Sequence, residues 1–339
     1  MTPEEVAEVS SSGLSFSINM ASSILLSTLF GIYSLACFIS LYIYFKTKSN
    51  VGSAKKAMIY VFLGDLSLML IYFVLSVAAT LELVKYGLVV SLPGGITEQI
   101  VAADLGSQIR VYDNICVWLS NAIPLIADTV IVWRAWAVWM DNTKVKWTLL
   151  LLMLADIAVC LADTALDTTL SSMTLQSGED INLDWIAVVL SLSVNMIATC
   201  SIAFWAWLHH KFMNSISIRR KKTKGEQVLL LLVESGAIYM LVQLLDIINN
   251  ALDMTTSPGS TIDCLSLITT QLYVSAASLN PVAIFILVQT QNTYDQSFHL
   301  EETPTLSQPA QLQQVSLPVI LNGLENTPDV VGLVEQENI

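Results

Sequence analysis

Seven long apolar stretches follow one another along this chain, at residues 16–45, 57–81, 113–140, 147–170, 185–208, 228–252 and 264–288. Each reaches or exceeds the ~20 residues that a helix needs to cross ~30 Å of hydrocarbon. The runs are continuous rather than alternating, so they are not barrel strands. A continuous apolar segment satisfies its backbone in lipid only as a helix. The expected fold class is therefore all-α: an antiparallel seven-helix membrane bundle.

Basic residues orient the pattern. One side carries Lys46, Lys48, Lys55 and Lys56 after the first span, and Lys144 and Lys146 after the third, with Arg134 just inside that helix. The same side holds Lys211, Arg219, Arg220, Lys221, Lys222 and Lys224 after the fifth span. The opposite side has Lys85 and Arg110 alone. Under the positive-inside rule the N-terminus lies outside and the C-terminus in the cytoplasm. The expected segments are a short extracellular N-terminus (1–15), a transmembrane domain (16–288) and a disordered acidic tail (289–339) rich in Gln, Pro, Thr and acid. No basic n-region precedes the first span, which reads as an uncleaved anchor. The net charge of −13 is partly a property of the tail, so it predicts no nucleic-acid partner. The partner the chain requires is the lipid bilayer, with the plasma membrane the expected location.

Ionisable side chains at membrane depth cost at least ~2.5 kcal/mol each on insertion scales, so each needs a reason. The deep acids are Asp65, Asp128, Asp156, Asp163 and Glu234, against one base, Arg134. Asp167 and Asp246 fall near outer helix ends, within reach of water. At 1.5 Å rise per residue, Arg134 and Glu234 each lie ~9 Å from the inner ends of spans three and six. That match in level makes them switch candidates, a cytoplasmic latch closed when the two pair. Asp65 is a rival partner. The plain alternative is that Arg134 snorkels to headgroups and Glu234 is protonated. The remaining acids call for protons, a shared cation, or hydrogen bonds to Asn121, Asn195 or Asn280, and Asp65 and Asn280 fall at levels where they would line one polar pocket. Asp65, Asp128, Asp156, Asn195 and Asn280 thus form the candidate buried polar network. Pro124 and Pro281 are hinge candidates, because each removes a helix hydrogen bond. Trp133, Trp136 and Trp139 crowd the inner end of span three as an interfacial belt.

Several function classes lose their required residues. No Lys lies inside a span, so no retinal Schiff base forms. The histidines are His209, His210 and His299, none at helix depth, which removes intramembrane zinc and Ser–His hydrolases. The five cysteines are scattered singly without metal-ligand spacing, and Cys116 and Cys264 both sit near outer helix ends, as two free thiols or one bridge. No catalytic residue, metal site or cofactor is expected, and no enzyme activity.

Asp128 followed by Trp133-Arg134-Ala135-Trp136, together with Leu232-Val233-Glu234-Ser235-Gly236-Ala237-Ile238-Tyr239, resembles a family of seven-helix membrane proteins of mushroom-forming fungi. The resemblance covers most of residues 16–290 and implies a receptor-like seven-helix fold. A looser similarity to class A G-protein-coupled receptors rests on Asn280-Pro281 in span seven and Arg134 in span three. It departs at Ile284, which stands in place of their tyrosine, and at Trp133, in place of the acid before their arginine. No cysteine lies between residues 171 and 184 to bridge the second outer loop to span three. The expected function is receptor-like signal transduction. An extracellular ligand would bias spans three and six toward a cytoplasmic transducer such as a heterotrimeric G-protein. The alternatives are a proton- or cation-coupled small-solute transporter and a membrane scaffold without ligand.

Overall fold

In the computed structural model the described residues are 3–46, 53–90, 99, 107–139, 142–172, 184–216, 224–253 and 261–301. They form seven helices and, among the described residues, no strand: α1 (Pro3–Lys46), α2 (Ser53–Leu88), α3 (Ser107–Val138), α4 (Thr143–Ser172), α5 (Asp184–Ile216), α6 (Lys224–Asp253) and α7 (Thr261–Glu301). Met1–Ser297 is one compact unit. In the second unit, Phe298–Ile339, only the helical residues up to Glu301 are described.

Six helices contain stretches long and apolar enough to cross a membrane: Phe16–Lys46, Lys56–Tyr86, Ile109–Val138, Thr143–Thr169, Trp185–Leu208 and Leu229–Leu252. The seventh, α7, is not among them. It is held to the bundle by side chains. Phe285 stacks on Phe62 of α2, Tyr273 stacks on Tyr239 of α6, and Tyr72 donates to Gln271 at 3.1 Å. The six apolar helices make this a multi-pass integral membrane protein.

The distribution of polarity says the same. Ile24, Phe38, Leu151, Ile186, Ile238 and Leu241 are exposed, whereas Asp65, Asp128, Asp156, Asn195, Gln243 and Asn280 are buried. Apolar faces of this extent are not left open to water, but they match a lipid solvent. Hydroxyls on outward faces close onto their own helices: Thr28 donates to the Ile24 carbonyl, Thr129 to Leu125 and Ser193 to Val189.

The third helix is central, packing against α2, α4 and α5, while α5 also packs against α4 and α6. At one end Trp139 Nε1 donates to the Ser201 carbonyl at 3.1 Å and the Trp139 ring stacks on Phe204, pinning α3 to α5. Trp139 is thus a helix-to-helix tie, whereas Trp133 and Trp136 are exposed. The α3–α4 connection is tight, as its length predicted, with Lys146 N bonded to the Asn142 carbonyl.

Some element limits differ from the apolar runs. Helix α1 starts at Pro3 and takes in most of the expected N-terminal segment. Helix α2 continues past residue 81 to Leu88, supported by an i,i+3 ion pair of Lys85 with Glu82 at 2.9 Å, so the connection between α2 and α3 is shorter than the apolar run implies. The Leu92–Gly95 turn signal, the Arg219–Lys222 basic run and residues 302–339 lie outside the described residues. Pro124 and Pro281 both lie inside continuous helices, α3 and α7.

Candidate functional site

Polar side chains from α3, α5, α6 and α7 meet in the bundle core. The α5 contribution follows from spacing: Ser191, Asn195 and Thr199 recur every four residues and so share one face of the helix, and all three are buried. Across from them α6 brings Gln243, which is fully buried.

The hydrogen bonds form a chain with a direction. Thr199 Oγ1 donates to Asn195 Oδ1 at 3.1 Å, and Asn195 Nδ2 donates to Gln243 Oε1 at 2.9 Å. Gln243 Nε2 donates to Ser191 Oγ at 2.9 Å, and Ser191 Oγ donates in a short bond to Asp128 Oδ2. Every donor points toward the carboxylate, so the amide and hydroxyl dipoles reinforce one another at Asp128. The Tyr273 hydroxyl of α7 lies 3.5 Å from Ser191 Oγ, bringing a fourth helix to the same point.

Close approach of α5 and α6 depends on Gly236. A Cβ placed there would lie 2.5 Å from Thr199 Oγ1 and 3.0 Å from Thr199 Cγ2. The glycine of the Glu-Ser-Gly-Ala-Ile-Tyr segment is therefore a packing requirement of the chain's first link.

Beside Asp128 is a cavity of about 30 Å³, lined by Asn121, Asp128, Asp156, Cys160, Ser191 and Tyr273 among others. Asp128 is fully buried and Asp156 nearly so. Asp128 Oδ1 and Asp156 Oδ2 have no hydrogen-bond partner among the described residues. Asn121 is held by donating to Thr164 Oγ1 at 2.8 Å. Asp128 and Asn195 are thus joined through Ser191 and Gln243, and Asp156 lines the same cavity as Asp128.

Other expected partners are not hydrogen-bonded to one another. Tyr33 of α1 donates to Asp65 Oδ2 at 2.9 Å, while Asp65 Oδ1 and both side-chain polar atoms of Asn280 lack partners. Asp65 and Asn280 are each buried, yet no hydrogen bond joins them. Arg134 is buried with Nε donating to the Val130 carbonyl at 3.4 Å, and its Nη1 has no partner. Glu234 is exposed. The latch expected between Arg134 and Glu234 is not formed in this structure. The reason is angular: α6 buries Leu232, Gly236, Tyr239, Gln243 and Asp246, and two residues beyond Leu232 is ~200° around the helix. Matching depth did not mean matching face.

Asp246 corrects another expectation. Instead of reaching water it is buried, accepting from Asn250 Nδ2 at 3.2 Å and from Thr270 Oγ1 at 3.5 Å. Cys116 carries a free thiol, and the side chain of Cys264 lies outside the described residues. Residue-type reasoning passed over Ser191, Gln243 and Tyr273 because they carry no charge. The signal that would have found them is the four-residue repeat Ser191–Asn195–Thr199 in an otherwise apolar helix.

Comparison with family models, with curated proteins and with solved structures finds no match to this chain.

Proposed function

We propose that this chain is a receptor-like transducer whose seven helices all span the membrane, with the N-terminus outside and the C-terminus cytoplasmic. The observation that carries the reading is the directed chain Thr199–Asn195–Gln243–Ser191–Asp128, because it ties α3, α5 and α6 into one polar unit at a point that α7 also reaches. Such a unit has few arrangements that satisfy all its members, and breaking one bond in a low-dielectric core destabilises its neighbours. An extracellular ligand that favours one arrangement over another would shift the population of bundle states. The readout falls at the opposite end, where the basic sequence between α5 and α6 is the proposed contact for a cytoplasmic transducer. A heterotrimeric G-protein is the proposed transducer, the plasma membrane the proposed location, and the fungal seven-helix family the proposed kinship. No catalytic role is proposed.

The test is proximity labelling from a tag on the C-terminal tail in the native cell, against a membrane-anchored control. Selective enrichment of a G-protein α-subunit supports the transducer. Strong labelling without one counts against it. A cation-coupled carrier is the second reading, favoured by the unpartnered oxygens of Asp128 and Asp156 beside one cavity. It predicts solute flux in vesicles that disappears in Asp128→Asn.

A further inference from the structure

Asp128 and Asp156 share the small cavity, and each keeps one oxygen without a hydrogen-bond partner among the described residues. Ser191 shares a short hydrogen bond with Asp128 Oδ2 while accepting from Gln243, so the chain holds one oxygen of Asp128 and leaves the other for the cavity. A proton shared between Asp128 Oδ2 and Ser191 Oγ would still leave Oδ1 an acceptor without a partner among the described residues. Nor do the acids share a proton directly, since Asp156 Oδ2 is likewise without a partner. The one base at depth, Arg134, stands six residues along α3, ~9 Å away by helical rise. Two buried carboxylates without a counter-charge are costly, and buried charges are ordinarily paired or coordinated to a cation.

We propose that the Asp128–Asp156 cavity is a binding site for one monovalent metal cation of sodium size. Its ligands would be Asp128 Oδ1 and Asp156 Oδ2, with the hydroxyls of Ser191 and Tyr273 at the rim. The volume of about 30 Å³ has room for a water-sized occupant. The donors are all oxygens, the kind that hard cations take. The site offers two carboxyl groups and hydroxyls rather than a metal-holding cluster of three or more His, Cys, Asp or Glu, and no such cluster occurs among the described residues. The cation would close the electrostatic end of the hydrogen-bond chain, so its occupancy would set how firmly α3, α4 and α5 are held together. This inference rests on the polar core being the functional centre, but ion binding is measured without any signalling partner.

The experiment uses the purified full chain in nanodiscs. Saturable binding of radioactive sodium is measured directly, and the unfolding midpoint is compared in sodium chloride and N-methyl-D-glucamine chloride at equal ionic strength. The expected result is one saturable site per chain. Sodium should raise the midpoint by roughly 5 °C at a hundredfold excess over its Kd. Asp128→Asn and Asp156→Asn should each abolish both effects, while Asp246→Asn, at a separate buried carboxylate, should keep them. If the first two variants fail to fold, Ser191→Ala supplies the test through at least a tenfold weaker sodium affinity. Absence of saturable binding to the wild-type protein overturns the site, as does binding that survives both variants. Stabilisation that follows pH alone, with no sodium dependence, overturns it in favour of a proton. Sodium binding without G-protein labelling would retain the site and remove the transducer, and the converse result would remove the site alone.

Discussion

Replacing Gly236 by Ala adds one methyl group where α6 touches α5. The new Cβ would stand 2.5 Å from Thr199 Oγ1, 3.0 Å from Cγ2 and 3.4 Å from Cβ. Ordinary contact begins at about the last of these distances, so the helices must part by roughly 1 Å or Thr199 must turn. Thr199 is a poor candidate to yield. It is short and β-branched, and rotation gives up its bond to Asn195 at 3.1 Å. Overpacking of a tight core costs about 1–3 kcal/mol, and a lost interhelical hydrogen bond in a membrane averages about 0.6. The better helix propensity of Ala returns up to about 1 kcal/mol. The net expectation is a destabilisation of about 1–3 kcal/mol, read as a lower unfolding midpoint in mixed micelles. Thr199→Ala removes the two clashing atoms, so Gly236→Ala/Thr199→Ala should be more stable than Gly236→Ala alone. Gly31→Ala and Gly64→Ala meet nothing within 4 Å and should leave stability unchanged or slightly raised. If Gly236→Ala is as stable as wild type, or Thr199→Ala fails to rescue it, the α5–α6 packing argument is refuted.

Gln243→Leu cuts the chain on both sides at once, leaving Asn195 Nδ2 without its acceptor and Ser191 Oγ without the donor that Gln243 supplied. It should cost at least about 2 kcal/mol in the same assay, whereas Gln271→Leu, which removes only the Tyr72 bond, should cost less. Tyr33→Phe takes away the one hydrogen bond Asp65 makes among the described residues and should lower stability by about 1–3 kcal/mol, with Asp65→Asn/Tyr33→Phe recovering part of the loss. Glu234→Gln lies on an exposed face, so stability should stay within about 0.5 kcal/mol of wild type and basal signalling output should not rise. A raised basal output would restore the Arg134–Glu234 latch as a feature of the resting state.

The helices were legible because lipid leaves an apolar run no other way to satisfy its backbone, and a run of twenty such residues has few other uses. Charge-based reasoning also found the depth of the buried acids: Asp65, Asp128 and Asp156 are all inside. It went astray where depth was used without angle. Arg134 and Glu234 share a level, yet Glu234 lies on the far side of α6 from Gly236 and Gln243. Nearness to a helix end misled in the same way at Asp246, whose neighbours on α6 and α7 cover it. The uncharged members of the site left a weaker trace. Ser191, Gln243 and Tyr273 cost little to place in a membrane singly, and their importance arises only when α3, α5, α6 and α7 bring them within hydrogen-bond distance. That pairing is a property of helix rotation and packing, which one sequence read in one dimension does not contain.

The central claim is that the Asp128–Ser191–Gln243 chain couples the middle of the bundle to the ends of α3 and α6. The direct measurement is the distance distribution between spin labels at Ala137→Cys and Leu230→Cys, both exposed positions, in a Cys200→Ser background. The account predicts one dominant distance in the otherwise native chain and a second, resolved population when Asp128→Asn or Ser191→Ala is added. Superimposable distributions in a folded variant would contradict it.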